Sequence, residues 1–170
     1  SRARFALLLP LALSLAAVSL SGCGKAPPPT VGERLWLSGV PTGPRAPVHA
    51  FALTEVRGRQ LGTFYHGSAY RGQHDAFRWR QVNDRDARLE FLQDGKKYKV
   101  RVTTCEPSRG FDHCIKLEGD PTGAVRYQSR KRWAIPRRGK KAADAADLML
   151  ELAEEDPDLA VLIESDESED

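Results

Sequence analysis

The chain has 170 residues and a formal net charge of +3, a length that suits one ordinary domain and excludes several large ones. The small net charge hides a segregation of charge. Residues 34–141 carry 23 Lys and Arg against 10 Asp and Glu, a net of +13, whereas residues 142–170 carry 12 Asp and Glu and no Lys or Arg. Three interpretations follow: the acidic tail folds back onto the basic body, the body binds an anionic partner, or both surfaces are solvated.

The first 22 residues have the pattern of a secretory signal peptide. A basic stretch, 1–4, precedes an apolar run, 5–20, that is shorter than the about 20 residues of a transmembrane helix. The run ends in Leu20-Ser21-Gly22-Cys23, which resembles the lipobox of bacterial lipoproteins. The resemblance implies cleavage before Cys23 and acylation of its thiol and amino group, which would anchor the chain to the lipid bilayer. The alternative is an ordinary signal peptide whose cysteine has no special role.

A proline-rich spacer follows the predicted lipidation site. Residues 23–33 contain Pro27-Pro28-Pro29, a composition typical of a polyproline II tether with a rise of about 3.1 Å per residue. Gly24 stands where lipoproteins retained in the inner membrane of well-studied bacteria carry an aspartate. The resemblance therefore implies an outer-membrane location in the cell envelope, on the periplasmic or the surface face. Export argues against nucleic acid, the common partner of a basic domain, and we predict no nucleic-acid binding.

Residues 34–138 are predicted to form a β-meander. The most specific signal is Asp94-Gly95 between two alternating runs, which predicts a hairpin with a two-residue type I′ turn. The register of that turn gives the pairs Leu89–Val100, Glu90–Lys99 and Phe91–Tyr98. A loop at residues 83–86 predicts the pairs Phe77–Phe91, Arg78–Glu90 and Trp79–Leu89, and a turn at Arg57-Gly58 predicts Phe51–Phe64 and Leu53–Gly62.

The remaining strands complete an antiparallel barrel or a strongly curled sheet. Leu35 and Leu37 flank an outward Trp36 in a first strand, and the last strands contain Val125 and Tyr127, then Trp133 and Ile135. About eight short strands at near-regular spacing are similar in architecture to a small lipocalin-like barrel. Its predicted interior lining is Phe51, Phe64, Phe77, Trp79, Phe91 and Tyr98.

Two cysteines remain besides the predicted lipidation site. In an oxidising compartment we expect Cys105 and Cys114 to form a disulfide across the base of a hairpin with its tip at residues 106–113. The alternatives are a thiol metal site and a redox pair. Neither a C-x-x-C spacing nor partner ligands support them.

The periodicity changes in residues 139–163. Ala145, Leu148, Met149 and Leu152 fall at i, i+3, i+4 and i+7, which predicts an amphipathic helix whose apolar stripe packs on the sheet or binds a partner. Asp156-Pro157 is predicted to begin a second short helix carrying Leu159 and Leu162. Residues 164–170, ESDESED, are predicted to be disordered because they lack apolar side chains.

The sequence contains no recognisable catalytic or metal-binding motif. Its histidines lack the spacing of zinc ligands, and Ser68 is not in a nucleophile elbow with His74 or Asp75. We therefore predict no enzymatic activity, no metal and no cofactor. The densest basic patch, and the surface on which we expect an anionic partner, comprises Arg130, Lys131, Arg132, Arg137 and Arg138. Its alternative is a solvated strand end that faces the acidic tail.

Two functions fit these elements. The first is a membrane-anchored binding module that holds an apolar or amphiphilic ligand inside the barrel. The second is a structural or assembly lipoprotein that contacts an anionic polymer, other anionic envelope components or protein partners through its basic face. An interior pocket of about 300 Å³ or more would favour the first, and a filled interior would favour the second.

Overall fold

Alternation of apolar and polar residues produces a closed β-barrel. The computed structural model describes residues 30–68, 71–135 and 144–160, and within them eight antiparallel strands pair in sequence order until the first closes on the last. The mainly β fold is therefore the one predicted. The strands are β1 (Arg34–Leu37), β2 (Val48–Val56), β3 (Arg59–Gly67), β4 (Gly72–Gln81), β5 (Asp86–Phe91), β6 (Lys97–Thr104), β7 (His113–Glu118) and β8 (Arg126–Ser129).

Two hairpins have the predicted register. Arg57 and Gly58 both have positive φ, 51° and 74°, as a two-residue turn between β2 and β3 requires. Phe51 consequently pairs with Phe64, and Leu53 with Gly62. The pairs between β4 and β5 are also those predicted, namely Phe77–Phe91, Arg78–Glu90 and Trp79–Leu89.

The predicted register between β5 and β6 is wrong by two residues. Leu89 pairs with Tyr98, because the connecting loop has four residues rather than two. Backbone hydrogen bonds from Phe91 N to Lys96 O at 2.9 Å and from Gly95 N to Phe91 O at 3.0 Å close the loop, and Gly95 has a φ of 68°. Strand side chains alternate with a period of two, so a shift of two residues leaves every side chain on its predicted face.

Aromatic rings fill the barrel interior. Phe64 packs between Phe51 and Phe77, with ring centroids 5.5 and 4.7 Å away, and Tyr127 meets Phe51 edge-on at 4.8 Å. Gly62 lies against the Phe77 ring, and a Cβ at this position would be 2.5 Å from Phe77 Cζ. The six predicted interior aromatics all lie in this cluster, Tyr98 at its edge. The buried members are Val31, Trp36, Phe51, Leu53, Phe64, Phe77, Trp79, Ala87, Leu89, Phe91, Val100, Val102, Ile115, Leu117 and Tyr127.

The prediction that Trp36 faces outward is wrong. Trp36 is 1% exposed and lies in the barrel interior, where its Nε1 donates to Val31 O at 2.9 Å. Leu35 and Leu37 lie on the outer side of the sheet. Strand β1 is covered on both sides, so its residues show no polar–apolar alternation from which to infer the inner face. Because Val31 is also buried, the folded domain begins within the spacer predicted at 23–33.

A helix covers the outer side of β1, β2 and β3, as predicted. This helix, α1 (Ala145–Glu155), begins at Asp144, whose side chain accepts hydrogen bonds from Ala146 N and Asp147 N. Ala145 N donates to Thr63 Oγ1 at 2.6 Å, which fixes the helix start on β3. The buried members of this outer cluster are Leu35, Leu37, Val48, Ala50, Ala52, Tyr65, Trp133, Ile135, Ala145, Leu148, Met149, Ala153 and Leu159.

The chain after β8 departs from the prediction. Trp133 is buried in a 3₁₀ turn, Lys131–Trp133, instead of a final strand. Asp156 begins a hydrogen-bonded turn in which Leu159 N donates to its carbonyl oxygen. Leu162 lies outside the described residues, as do the predicted signal peptide, Cys23 and the acidic tail 164–170. Within the described ranges, no helix is long and apolar enough to cross a bilayer.

Candidate anion-binding face

The outward side chains of β4, β5 and β6 are mostly cationic. In β4, Phe77 and Trp79 belong to the barrel interior, so alternation places Arg78 and Arg80 on the outer face. The same alternation exposes basic residues of β5 and β6. The exposed cations of the three strands are Arg78, Arg80, Arg88, Lys97, Lys99 and Arg101.

Cross-strand pairing arranges these side chains in three parallel rows. The first row, Arg78–Glu90–Lys97, and the third, Asp86–Arg101–Glu118, alternate in charge. Ion pairs form within both: Arg78 Nη1 lies 3.5 Å from Glu90 Oε2, and Arg101 Nε lies 3.2 Å from Asp86 Oδ1. The middle row consists of Arg80, Arg88 and Lys99, each directly opposite the next. These three residues are termed the cationic row.

The cationic row breaks the charge pairing that both neighbouring rows obey. Adjacent strands lie about 4.8 Å apart, and like charges directly opposite each other destabilise a sheet. In the part of the chain that the structure describes, no carboxylate forms an ion pair with Arg80, Arg88 or Lys99. The row therefore presents three adjacent positive charges, one of which, Lys99, is attracted to a nearby acid, Asp86, without pairing with it. An anion bound at the row would relieve the repulsion between the three charges.

The acid two residues before Arg88 on β5, Asp86, is already engaged. The pKa of Asp86 is lowered by hydrogen bonds from Asn83 and Arg101, which outweigh the opposing effect of desolvation, and the charges of Arg101 and Lys99 lower it further. Its carboxylate thus stays ionised and paired within the third row. An external anion at the cationic row would not have to displace it.

A pocket lies beside the cationic row. Its volume is about 230 Å³, and it is lined by Arg78, Arg80, Arg88, Leu89, Glu90 and Lys97. Guanidinium groups bind carboxylate and phosphate oxygens in a bidentate geometry, which an ammonium group cannot match. Arginines from two neighbouring strands converge on the pocket. The arrangement therefore suits a phosphate- or carboxylate-sized anionic group.

Two arginines of the basic patch predicted from the sequence are paired with acids of the C-terminal segment. Arg130 is only 6% exposed, and its Nη1 donates to both carboxylate oxygens of Asp156 at 2.9 and 3.0 Å while its Nη2 donates to Asp158 at 2.6 Å. Arg132 also pairs with Asp156, at 2.8 Å. Lys131 is exposed, and Arg137 and Arg138 lie outside the described residues. Two of the five cations thus fasten the segment after α1 to the barrel.

The predicted disulfide is present. Cys105 and Cys114 are bonded with a Cα–Cα distance of 5.0 Å, directly after the last ladder pair of β6 and β7. Cys105 N donates to Cys114 O at 3.1 Å, so the bond closes the base of the hairpin loop as expected. This bond limits fraying of the barrel at the end of β6.

A second pocket occupies one mouth of the barrel. It has a volume of about 290 Å³, with Phe91 and Tyr98 at its apolar part and His66, Asp75 and Thr122 among its polar lining. The pocket is open to solvent and lies above the packed interior. It offers a small polar site with two aromatic rings.

Two histidines stack beside this mouth. His49 and His66 are directly opposite each other in β2 and β3, with ring centroids 4.0 Å apart and planes 12° from parallel. Burial lowers the pKa of His49, the neighbouring His66 lowers it further, and Asp120 opposes both effects. Among the described residues, no group of three or more His, Cys, Asp and Glu side chains is placed to hold a metal ion.

Sequence reasoning missed the cationic row although its residue types were visible. The alternation correctly placed Arg80, Arg88 and Lys99 on the outer face. The two-residue turn placed Glu90 opposite Lys99, but the predicted registers of the three strands together also give a row of three cations, Arg80, Arg88 and Arg101. The observed register places Lys97 opposite Glu90 and leaves Lys99 opposite Arg88. The sequence does contain a signal for this face: basic residues accumulate at the alternating, outward positions of three successive strands.

Comparison with protein-family models, curated proteins and solved structures yields no match.

Proposed function

We propose that this protein is a lipid-anchored lipoprotein of the bacterial cell envelope, in the outer membrane, whose barrel binds an anionic partner through the cationic row. The observation that carries the proposal is the direct opposition of Arg80, Arg88 and Lys99 between two rows in which the charges alternate in sign. A negatively charged partner would reduce this repulsion on binding, and the reduction would contribute to the free energy of binding. The proposed role is a structural or assembly contact, without catalysis.

The packed interior supports a surface role. Eight-stranded barrels have an interior that side chains can fill. Phe51, Phe64, Phe77 and Tyr127 do so here, because each is at most 2% exposed and their rings are in mutual contact. A ligand the size of a lipid would need these rings to move apart. Surface contact requires no such rearrangement.

The anchor is supported by the sequence around Cys23. The lipobox-like tetrad ends eight residues before Val31, which is buried in the barrel. The residues between them would form the tether of an acylated chain. Metabolic labelling with a palmitate analogue tests this part. The wild-type chain should carry the label and fractionate with membranes, and Cys23→Ser should lose both properties.

Retention on an immobilised polyanion tests the binding face. The probe is heparin, and the sample is residues 24–170, which contain every described strand and the helix. We expect the triple variant Arg80→Gln, Arg88→Gln, Lys99→Gln to elute at much lower salt than the wild type. The matched control, Lys131→Gln, Arg137→Gln, Arg138→Gln, removes the same charge from the patch predicted by sequence. If both triple variants elute at equally reduced salt, or only the control does, the cationic row is rejected as the binding face.

A second candidate function is binding of an amphiphilic ligand at the barrel mouth. The pocket of about 290 Å³ beside Phe91 and Tyr98 favours it. Native mass spectrometry of residues 24–170 purified from the periplasm of a producing host tests this alternative. A retained mass of lipid size that disappears in Phe91→Ser would establish it, and a bare protein mass would count against it.

A further inference from the structure

We propose that the anionic partner of the cationic row is the phosphate layer of the membrane to which the chain is tethered, so that the barrel lies with β4–β6 against the bilayer surface. The inference rests on the proposed function and names the partner of the same face. It is supported by the position of the row, by two flanking apolar side chains and by the shape of the pocket.

The cationic row lies near the end of the barrel at which the tether enters. Strand β4 ends at Gln81, one residue after Arg80, and β5 begins two residues before Arg88. One pocket at that end is lined both by residues 30–33 of the entering chain and by residues 81–84 of the β4–β5 loop. Chain length alone limits the distance between Cys23 and Thr30 to about 25 Å, at about 3.5 Å for each of the seven residue steps. A barrel held that close to the bilayer keeps Arg80 and Arg88 within reach of lipid phosphates.

Two exposed apolar side chains flank the basic face. Val82, directly after the end of β4, is 52% exposed, and Leu92, directly after the end of β5, is 50% exposed, so one apolar side chain lies at each end of the antiparallel strand pair. Cations beside apolar side chains suit a membrane interface, where phosphates lie above an acyl layer. A soluble polyanion offers phosphates or sulfates but no acyl layer. The combination therefore favours a lipid surface over an anionic polysaccharide.

The pocket beside the row has room for a phosphate group. Arg80 and Arg88 line it from adjacent strands, and Arg78 and Lys97 line it from the first row. Arginine binds phosphate oxygens in pairs, so a lipid headgroup can be held in place as well as attracted. Glu90 also lines the pocket, but it is paired with Arg78 at 3.5 Å.

Vesicle binding tests the proposal. Residues 24–170 are mixed with vesicles of phosphatidylcholine alone or with added phosphatidylglycerol, and the bound fraction is measured by sedimentation. The wild type should bind the anionic vesicles in a salt-dependent manner. The triple variant Arg80→Gln, Arg88→Gln, Lys99→Gln should bind about a hundredfold more weakly, since each cation near an anionic surface contributes about fivefold. The control variant Lys131→Gln, Arg137→Gln, Arg138→Gln should lose far less binding to anionic vesicles.

A second variant distinguishes a bilayer from a polymer. Val82→Ser with Leu92→Ser should weaken binding to anionic vesicles and leave heparin retention unchanged, because only the bilayer has an acyl layer. If both probes lose binding equally, the apolar pair does not contact lipid and the proposal is overturned. Both residues are at least half exposed, so neither substitution opens a cavity in the barrel.

The outcomes separate this inference from the proposed function. Heparin retention that depends on the row, together with no binding to anionic vesicles, overturns membrane docking and leaves the anionic-partner proposal intact. Failure to bind either probe rejects both. The row variants should fold like the wild type. Removing like charges from the row should leave the free energy of unfolding equal or higher. A row variant that unfolds more easily than the wild type would itself contradict the repulsion on which the proposal depends.

Discussion

Arg130 and Asp156 lie 26 positions apart and form a buried ion pair, with Arg130 Nη1 2.9 Å from Asp156 Oδ1. The same carboxylate accepts a hydrogen bond from Trp133 Nε1 at 2.8 Å and one from Arg132 Nε at 2.9 Å. The segment that follows β8 and the turn after α1 are therefore joined through one side chain. The pair fixes the helix over the apolar outer cluster of β1–β3, and part of the basic body is neutralised by the acidic C-terminal region.

Asp156→Asn should destabilise the protein by about 3 kcal/mol, because it leaves the buried Arg130 with incomplete charge compensation. Chemical denaturation measures the free energy of unfolding. Glu154→Gln, on the exposed side of α1, is the control and should change it little. A loss at Asp156 no larger than at Glu154 would show that the buried pair does not hold the helix in place.

The contribution of Asp156 should disappear in acid. Burial alone would raise its pKa, but hydrogen bonds from Trp133 and the Asp158 backbone, with the charges of Arg130 and Arg132, lower it below the ordinary value. A lowered folded pKa means that the stabilisation is complete above about pH 4, the unfolded value, and is lost as pH falls through the folded pKa. The stability difference between wild type and Asp156→Asn should shrink from pH 7 to pH 2. A constant difference would contradict the assigned ionisation.

Cys105→Ser with Cys114→Ser should lower the free energy of unfolding by roughly 2.5 kcal/mol, because the disulfide restricts the unfolded chain over a short loop. Thermal and urea unfolding in oxidising buffer measure the loss. Reductant should produce a similar shift in the wild type and none in the double variant. If reductant also destabilises the double variant, the effect does not come from this bond.

Gly62→Ala should cost about 1–3 kcal/mol, because the new methyl group would overlap an interior ring and a backbone atom. The added Cβ would lie 2.5 Å from Phe77 Cζ and closer still to the carbonyl oxygen of Ala52. Gly39→Ala is the matched control, since a Cβ there meets no atom within 4 Å. Equal unfolding midpoints for the two variants would mean that the barrel interior is looser than the structure shows.

Removal of residues 161–170 should strengthen binding to anionic vesicles by at least about fivefold, the effect of one charge near the surface, because five acidic residues are lost while α1 is kept. A deletion that begins at residue 142 is not a suitable test. It would strip α1 from the outer cluster and expose Leu35 and Leu37. Unchanged vesicle binding after the shorter truncation would remove the idea that the acidic tail screens the basic body.

The local alternation of residues was enough to predict the barrel strands and the face of most side chains. Phe77 and Trp79 were placed inside and Arg78 and Arg80 outside, because a strand side chain has only two directions and the pattern of polarity shows which is buried. The helix stripe of Ala145, Leu148 and Met149 was equally local, and all three are buried. Where both sides of a strand are covered, as at Trp36, that signal was missing.

The sequence by itself thus determined the disulfide, the helix and the faces of most strand residues. Only the tertiary structure decided the charge pairs between β5 and β6 and those of the C-terminal segment. The four-residue loop between β5 and β6 sets Lys99 opposite Arg88, and the fold of the C-terminal segment brings Asp156 to Arg130. A shift of two residues preserves every face and changes every partner, so the alternating pattern contains no information about it. The pairing of Arg80 with Arg88 follows from the predicted β4–β5 register, and the loop decides that Lys99 rather than Arg101 completes the cationic row.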